Sequence, residues 1–523
     1  MAVVPSTVLI PIPAKLTPRS GSFALGATTS IVAGNDLRAQ AELLRDQLRP
    51  ATGLPLSVAS SGTGSRIALA LDPSLATLGD EGYRLTVTAD EVAIRAPKPA
   101  GILYGSQTLR QLLPPDIFRR APVAGASWAI PAVEIEDRPR FGWRGSHLDV
   151  GRHFMPKEFV LKHIDLLALH KFNVFHWHLT EDQGWRIEIK KYPKLTSVGA
   201  FRKDSMTAPR TKDPAARKFA GRPHGGFYTQ DDVREVVRYA AERGINVVPE
   251  IEIPGHAMAA IAAYPELGNT GKQIEVLTYW GITDHVLGVT DNVLRFFEDV
   301  FDEVLELFPS KFIHVGGDEC PKTEWRNTPS AQERMKKEGL KNEDELQSWF
   351  IGHFDSWLAK RGRRLVGWDE ILEGGLAPGA TVMSWRGEEG GIAAAKAGHD
   401  VVMAPNKPTY MDYSQTELPT EPPGIGNHNS LEAVYAYQPV PKELSADEAK
   451  HVLGGQGQIW TEYMPDPKRV EYMAWPRLIA LAEVLWSPGE TRNWADFQKR
   501  LATHLERLAI LDVNYRGRFN PPD

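Results

Sequence analysis

Two adjacent carboxylates, Asp318 and Glu319, are the residues of this sequence whose type and spacing first suggest chemistry. They follow an apolar run, Phe312–Val315, and a pair of glycines, which predicts a buried strand that breaks into a turn. Like charges at short range raise the pKa of one partner, so holding such a pair together is costly. The pair therefore indicates acid/base chemistry at a strand end, with a solvated surface turn as the alternative.

This strand is one of eight apolar, β-rich runs that alternate with amphipathic helices from residue 141 onward. The runs are Trp143–Val150, Asn173–Thr180, Ile245–Ile253, Phe312–Val315, Leu365–Trp368, Thr381–Trp385, Asp400–Ala404 and Gly457–Trp460. The intervening helix candidates are Lys157–His170, Asp231–Arg243, Val293–Leu307, Glu343–Arg361, Gly391–Ala397 and Leu444–Leu453. Eight alternating strands and helices predict an α/β fold, a (β/α)₈ TIM barrel. A doubly wound open sheet requires a glycine-rich phosphate turn after its first strand, and this sequence has none there.

Residues 1–140 predict a small accessory α+β domain, and residues 141–523 predict the barrel with its C-terminal helices. Strand candidates in the first part are Val8–Ile12, Ser65–Leu71, Tyr83–Val87 and Glu91–Ala96, and its helix candidates are Leu37–Leu48 and Gly101–Leu113. A linker is expected around Ile130–Arg140, which contains two prolines. The helices expected after the barrel strands are Arg469–Trp486 and Ala495–Leu511.

The composition excludes several classes of function. The 523 residues carry a formal net charge of -6, so no basic surface for nucleic acid or anionic membrane is expected. No run is long and apolar enough to suggest a membrane span. The single Cys320 excludes an intrachain disulfide. The segment Met1–Pro13 is no convincing signal peptide, and the sequence determines neither the compartment nor the oligomeric state.

The ends of the eight predicted strands carry the polar residues that a barrel enzyme places at its mouth. In chain order these are Asp149 and Arg152; His178, Glu181 and Asp182; Glu250 and His256; Asp318 and Glu319; Trp368, Asp369 and Glu370; Trp385 and Arg386; Tyr410 and Asp412; Trp460 and Glu462. A mouth rich in Trp and carboxylates suits a sugar, whose ring offers apolar faces and a rim of hydroxyls. Two long loops, Tyr410–Tyr437 and Phe201–Phe227, are expected at its rim.

The adjacency of Asp318 and Glu319 bears on mechanism. Neighbouring side chains of a strand face opposite sides, so the two carboxyls cannot easily flank a sugar as the acid and nucleophile of an ordinary retaining glycosidase do. The remaining retaining route is one in which the 2-acetamido carbonyl of the substrate is the nucleophile.

The motif His314-Val-Gly-Gly-Asp-Glu319 resembles the signature of glycoside hydrolase family 20, the β-N-acetylhexosaminidases. Further motifs that resemble the family follow in order: Asp149-Val-Gly-Arg-His153, Phe175-His-Trp-His-Leu-Thr-Glu-Asp-Gln-Gly-Trp185, Pro249-Glu-Ile-Glu-Ile-Pro-Gly-His256, Gly367-Trp-Asp-Glu370, Ser384-Trp385, Tyr410-Met-Asp412 and Trp460-Thr-Glu462. The resemblance implies a TIM barrel preceded by a small α+β domain. The implied activity is exo-acting removal of terminal N-acetylglucosamine or N-acetylgalactosamine, with retention, through an oxazolinium intermediate and without metal or cofactor.

The resemblance also implies roles for individual residues. Glu319 would be the general acid/base, Asp318 would orient the acetamido N–H, and Tyr410 would hold the acetamido oxygen. His256 and Glu181 would form a relay behind Glu319, with Asp182 as the second candidate for the place of Glu181. The implied sugar-binding residues are Arg152, Asp412 and Glu462 for the hydroxyls and Trp368, Trp385 and Trp460 for the walls.

Two functions from other classes remain open. His176 and His178 share a strand face, and a His-x-His pair at a barrel strand end also occurs in metal-dependent amidohydrolases. A barrel that binds sugar without catalysis would keep the Trp walls and lack the acid, whereas Glu319 is present here. The sequence does not identify the natural glycan.

Overall fold

Eight parallel strands close into a barrel in the computed structural model, which describes residues 8–207, 211 and 213–517. The strands, first to eighth, are Trp143–Asp149, Val174–His178, Asn246–Ile253, Phe312–Gly316, Arg364–Trp368, Thr381–Ser384, Val401–Met403 and Val452–Gly457. Each pairs in parallel with the next, and the eighth pairs with the first. The predicted (β/α)₈ barrel is confirmed.

The helices that follow the strands cover the outside of the barrel with their apolar faces. The longer ones are Lys157–Leu169, Gln230–Ala241, Asp291–Leu307, Pro329–Glu338, Glu343–Ala359, Glu389–Lys396, Pro467–Ala474, Arg477–Trp486 and Trp494–Ile510. The helix Asp291–Leu307 shows why they form: the Thr290 hydroxyl caps its first turn, and Val293, Phe297 and Val300 bury one face at helical spacing. Among the described residues, none of the helices is both long and apolar enough to cross a bilayer.

A separate mixed sheet precedes the barrel. From one edge to the other its strands are Lys15–Ala24, Ala129–Asp137, Tyr83–Val87, Glu91–Ala96, Arg66–Leu71, Ser30–Ala33 and Val58–Ala59. The helices Arg38–Thr52 and Pro99–Leu112 pack against this sheet and against each other. The small α+β domain predicted from the sequence is therefore confirmed.

Two ion pairs, one wholly and one partly buried, join this sheet domain to the barrel. The guanidinium of Arg144, on the first barrel strand, forms two 2.8 Å hydrogen bonds with the carboxylate of Glu81. Nζ of Lys171 lies 2.9 Å from Oδ2 of Asp137, and both side chains are buried. Because an unpaired buried charge is strongly destabilising, these pairs define how the two parts meet.

The prediction of a strand at Val8–Ile12 is wrong. Pro11 has no N–H to donate to a sheet ladder. The backbone N–H and C=O of the buried Ile10 instead form hydrogen bonds of 2.9 and 2.7 Å with the side-chain amide of Gln111. The first strand of the sheet begins only at Lys15.

The predicted linker around Ile130–Arg140 is also wrong, because most of it is the strand Ala129–Asp137. This strand is paired on both sides, and buried residues alternate along much of it. Pro131 is accommodated where the partner strand has an irregular register, next to Ser22. The sequence does not show the irregular register of the partner strand, and for that reason Pro131 was read as part of a linker.

The eighth barrel strand lies earlier than expected. The sequence predicted it at Gly457–Trp460, after a helix at Leu444–Leu453, whereas the strand is Val452–Gly457. Its glycines weaken the strand pattern but are required by packing: a Cβ at Gly454 would lie 1.9 Å from the carbonyl oxygen of Trp143. The expected helix is reduced to a single 3₁₀ turn.

The single helix predicted for Arg469–Trp486 is two helices, Pro467–Ala474 and Arg477–Trp486. The break falls at Trp475 and Pro476. Proline lacks the N–H that a helix interior requires, and its ring clashes with the preceding turn. The last helix matches its prediction to within one residue at each end.

Candidate active site

A cavity of about 250 Å³ opens at the C-terminal ends of the barrel strands. Its lining residues are Arg152, Asp318, Glu319, Trp368, Trp385, Tyr410, Asp412, Tyr413, Ile425, Asn427, Trp460 and Glu462. Asp318 and Glu319 therefore share one cavity with all six residues that were expected to bind sugar. Of the predicted catalytic residues, His256 and Glu181 lie behind the lining.

The fourth barrel strand ends in a turn that brings both carboxylates to the cavity. Gly316 and Gly317 have φ values of 68° and 90°, and Glu319 has 44°, all in the left-handed region. A Cβ added at Gly316 would lie 1.6 Å from Oε2 of Glu252, so a side chain there would require the buried Glu252 to move. The turn ends the strand's alternation, so Asp318 and Glu319 can both line one cavity.

The imidazole of His256 connects the carboxylate pair to two further acids. Nδ1 lies 2.8 Å from Glu181 and 3.1 Å from Asp182, and Nε2 lies 3.4 Å from Glu319 and 3.6 Å from Asp318. Burial by itself lowers the pKa of His256, but the surrounding carboxylates outweigh burial and raise the pKa well above its ordinary value. The raised pKa favours a positively charged imidazole, which contacts all four of these carboxylates. Both candidates for the relay, Glu181 and Asp182, contact the same nitrogen.

The pKa of the Asp318 carboxyl is strongly perturbed. Burial raises the pKa of its carboxyl well above the ordinary value, and the nearby Glu370 and Glu319 raise it further. His256 acts in the opposite direction and lowers the pKa of Asp318. The imidazolium therefore favours the charged form of a carboxyl that burial disfavours.

Arg152 approaches the cavity from the loop after the first strand. The carboxylate of Asp149 shapes this loop by accepting the N–H of Arg152 at 3.1 Å. The guanidinium lies 3.0 Å from Glu181 and 4.9 Å from the ring centre of Trp460. These contacts hold a planar group of hydrogen-bond donors against the cavity wall.

Buried acids hold the aromatic walls. The indole N–H of Trp368 donates to Glu250, and that of Trp385 donates to Glu370, each at 2.9 Å. The rings of Trp385 and Tyr410 are nearly parallel, with an interplanar angle of 16° and centres 6.1 Å apart. Glu250 and Glu370 were noted in the sequence only as strand-end acids, and nothing there identified their tryptophan partners.

Asp412 and Glu462 form the acidic side of the cavity. Burial raises the pKa of both carboxyls, and Arg152 lowers the pKa of both. One oxygen of each, Oδ1 of Asp412 and Oε2 of Glu462, is buried and accepts no hydrogen bond from the described residues. Since buried polar atoms are nearly always paired, these oxygens are suited to the hydroxyls of a bound ligand.

The loop Tyr410–Tyr437, predicted to be functional, supplies three lining residues that were not singled out from the sequence. They are Tyr413, Ile425 and Asn427. The N–H of Ile425 donates to the carbonyl of Asp412 at 3.3 Å, which folds the loop back over the cavity. In the other predicted rim loop, Phe201–Phe227, residues 208–210 and 212 lie outside the described residues, and the described ones supply none of the lining residues.

The histidines of the predicted His-x-His pair lie inside the barrel. Donor atoms of His176, Glu250 and His314 are close enough together to hold a metal ion. They already pair with one another, since Glu250 lies 2.9 Å from His176 and 2.8 Å from His314. His178 pairs with Glu252 at 3.2 Å. None of these side chains lines the cavity, so an ion held by them would not meet a ligand there.

Comparison with known families gives a match over most of the chain. Residues 141–489 match the family described as "Glycosyl hydrolase family 20, catalytic domain", and residues 6–138 match "Glycosyl hydrolase family 20, domain 2". A β-hexosaminidase from Porphyromonas gingivalis is 47% identical over 97% of this chain. This chain spans 64% of the length of that relative, just under two thirds.

Solved structures give the same result. The family 20 β-N-acetylhexosaminidase of Streptomyces coelicolor A3(2) has a TM-score of 0.85 and 32% identity, with 98% of both chains covered. A mutant Streptomyces plicatus β-hexosaminidase in complex with its product GlcNAc has a TM-score of 0.84 and 33% identity, with 98% of this chain and 97% of that chain covered. The chain therefore belongs to glycosyl hydrolase family 20.

Proposed function

We propose that this chain is an exo-acting β-N-acetylhexosaminidase that removes terminal N-acetylglucosamine or N-acetylgalactosamine with retention. The observation that carries the proposal is that Asp318 and Glu319 share one small cavity, with His256 behind both. A cavity of about 250 Å³ is smaller than most sites for drug-sized ligands and suits a single terminal sugar. The names of the relatives support the same activity. The partner is a carbohydrate, and neither a cofactor nor a nucleic acid is required.

In the proposed reaction the substrate supplies the nucleophile. Glu319 protonates the glycosidic oxygen while the acetamido carbonyl oxygen attacks C1 and the bond to the leaving sugar breaks. Asp318 accepts the acetamido N–H and stabilises the positive charge of the resulting oxazolinium, and Tyr410 holds the acetamido oxygen. Glu319 then removes a proton from water, which attacks C1 and restores the acetamido group. Two inversions at C1 give net retention.

The remaining cavity residues bind and position the sugar in this proposal. Arg152 donates to the 3- and 4-hydroxyls, and Asp412 and Glu462 accept from the 4- and 6-hydroxyls. Trp460 stacks under the ring, while the other two tryptophans enclose the acetamido methyl. His256 and Glu181 set the charge around the catalytic pair.

The test is the initial rate of hydrolysis of nitrophenyl β-N-acetylglucosaminide beside nitrophenyl β-glucoside, with and without chelator. Hydrolysis of the acetamido sugar alone, unaffected by chelator, supports the proposal. Equal rates on both sugars would exclude the acetamido group as nucleophile. Activity that is lost to chelator and restored by Zn²⁺ would favour the alternative, a metal-dependent amidohydrolase that uses His176 and His178.

A further inference from the structure

Glu370 lies outside the cavity lining but contacts one of its walls. It follows the fifth barrel strand in a 3₁₀ turn, Asp369–Leu372, and its side chain is 10% exposed. Its Oε2 accepts the indole N–H of Trp385 at 2.9 Å. A carboxyl buried to this extent is costly to retain, so a specific use is expected of it.

The neighbouring Asp369 holds the backbone of the same segment. Its Oδ2 accepts the N–H groups of Trp385 and Arg386 at 3.0 and 3.2 Å, and its Oδ1 lies 2.5 Å from Nε of Arg386. The second end of the Arg386 guanidinium pairs with Glu373 at 2.8 Å. The two adjacent acids therefore have different roles: Asp369 holds the main chain at Trp385 and Arg386, and Glu370 holds the indole ring of Trp385.

The indole of Trp385 needs such a contact because packing alone does not enclose it. Trp385 is only half-buried, whereas Trp368, which also lines the cavity, is 1% exposed. The Trp385 ring lies nearly parallel to Tyr410, at an interplanar angle of 16°. A side-chain rotation about the Cα–Cβ bond would break both that alignment and the hydrogen bond to Glu370. The hydrogen bond therefore selects the ring orientation that forms the wall.

We propose that Glu370 is a positioning residue that fixes the indole plane of Trp385 and thereby sets the size of the N-acyl group that the cavity accepts. The inference rests on the proposed function, in which the Trp385 ring bounds the space for the acetamido methyl. A hydrogen-bond acceptor at position 370 is sufficient for this role, whether or not it is charged. Glutamine at position 370 should therefore preserve the role of Glu370, whereas a side chain without an acceptor should lose it.

The first test compares N-acetyl with N-propionyl nitrophenyl glucosaminide in the variants Glu370→Gln, Glu370→Ala and Glu370→Leu. One extra methylene in a closed pocket changes kcat/KM by roughly 10–200-fold, so wild type should prefer the acetyl substrate strongly. We expect Glu370→Ala and Glu370→Leu to lower that preference by roughly tenfold, mainly through a higher KM for the acetyl substrate. Glu370→Gln should keep it, as should the control Glu373→Gln. An unchanged preference in both acceptor-free variants, or an equal loss in Glu370→Gln, would overturn the proposal.

The second test follows the indole N–H directly, without turnover. In protein labelled with ¹⁵N-tryptophan, the Trp385 signal is assigned by its absence in Trp385→Phe. Slow hydrogen exchange of this signal in wild type and Glu370→Gln, and fast exchange in Glu370→Leu, is the expected result. Equal exchange in all three would overturn the proposal. If wild type hydrolyses neither nitrophenyl sugar, the proposed function fails, while this signal still decides whether Glu370 positions Trp385.

Discussion

Nε2 of His256 lies 3.4 Å from Oε2 of Glu319, and both residues have a left-handed backbone, with φ of 47° and 44°. This conformation costs on the order of 1–3 kcal/mol for each non-glycine residue. It persists where the surroundings hold it, and here Glu181 and Asp182 hold the far side of the imidazole. The folded chain therefore presents the imidazole and the carboxylate to each other before any substrate binds.

Replacement of Glu319 by Gln tests the general acid/base. The variant Glu319→Gln should lower kcat by on the order of 10²–10⁴-fold, because the amide cannot transfer a proton. The loss should be larger for a disaccharide than for a nitrophenyl sugar, since the nitrophenolate leaves without protonation. The exposed Glu333→Gln is the matched control. Near-native hydrolysis of the disaccharide by Glu319→Gln would exclude the assigned role.

Replacement of Asp318 by Asn tests whether the substrate assists its own hydrolysis. Asp318→Asn should lower kcat on the nitrophenyl acetamido sugar by on the order of 10²-fold, because a neutral amide cannot stabilise the positive charge that develops in the oxazolinium. The exposed Asp284→Asn serves as control. Turnover that is unaffected in Asp318→Asn would remove the substrate-assisted mechanism.

Removal of the imidazole should change the pH profile. His256 lowers the pKa of Asp318, which burial, Glu370 and Glu319 raise. In the proposed reaction Asp318 acts as the carboxylate, so His256→Ala should move the acid limb of the kcat/KM profile to higher pH. The limb should not move in the control His285→Ala, whose imidazole pairs with Glu324. An acid limb in His256→Ala that coincides with wild type would contradict this coupling.

The burial of Glu370 predicts a pH-dependent difference in stability. Burial raises the pKa of Glu370 from 4.5 to about 7, with Asp369 adding to the effect. Between these values the folded state binds the proton more tightly than the unfolded state does, so this group's contribution to stability falls as pH rises and is lost above the folded pKa. Glu370→Gln removes that loss, which is at most about 3 kcal/mol.

The measurement is the thermal midpoint of Glu370→Gln relative to wild type at pH 5 and at pH 8. The midpoint of Glu370→Gln minus that of wild type should be larger at pH 8 than at pH 5. Glu373→Gln, whose carboxylate is half exposed and paired with Arg386, should show no such change. If the midpoint of the variant instead falls relative to that of wild type between pH 5 and pH 8, the predicted pH dependence is contradicted.

Gly316, two residues before Asp318, should tolerate a side chain poorly. Gly316 and Gly339 have nearly the same φ, 68° and 70°, but only Gly316 has a neighbour, Oε2 of Glu252, within 4 Å of an added Cβ. Gly339→Ala should cost only the left-handed conformation, about 1–2 kcal/mol. Gly316→Ala should lower the thermal midpoint more and should also reduce turnover. Equal midpoints would show that Glu252 moves aside without cost.

Local patterns of residues were enough to predict the architecture and most of the cavity lining. Apolar runs at strand length, alternating with helical spacing, are local signals, so seven of the eight barrel strands lie close to their predicted positions. The residues that follow parallel strands meet at one end of a barrel. For that reason Arg152, Glu319 and Trp460 could be assigned to one cavity before any distance was known.

Tertiary structure alone decided which side chains contact one another. The acceptor of the Trp385 indole could not be predicted, because Glu370 reaches it only when the fifth and sixth strands pair in register. The eighth strand was predicted at the wrong position because glycine weakens the strand pattern. Gly454 is required there because the carbonyl of Trp143 leaves no room for a Cβ, and only barrel closure brings that carbonyl near. Such contacts depend on closing the sheet, and no local pattern of residues encodes them.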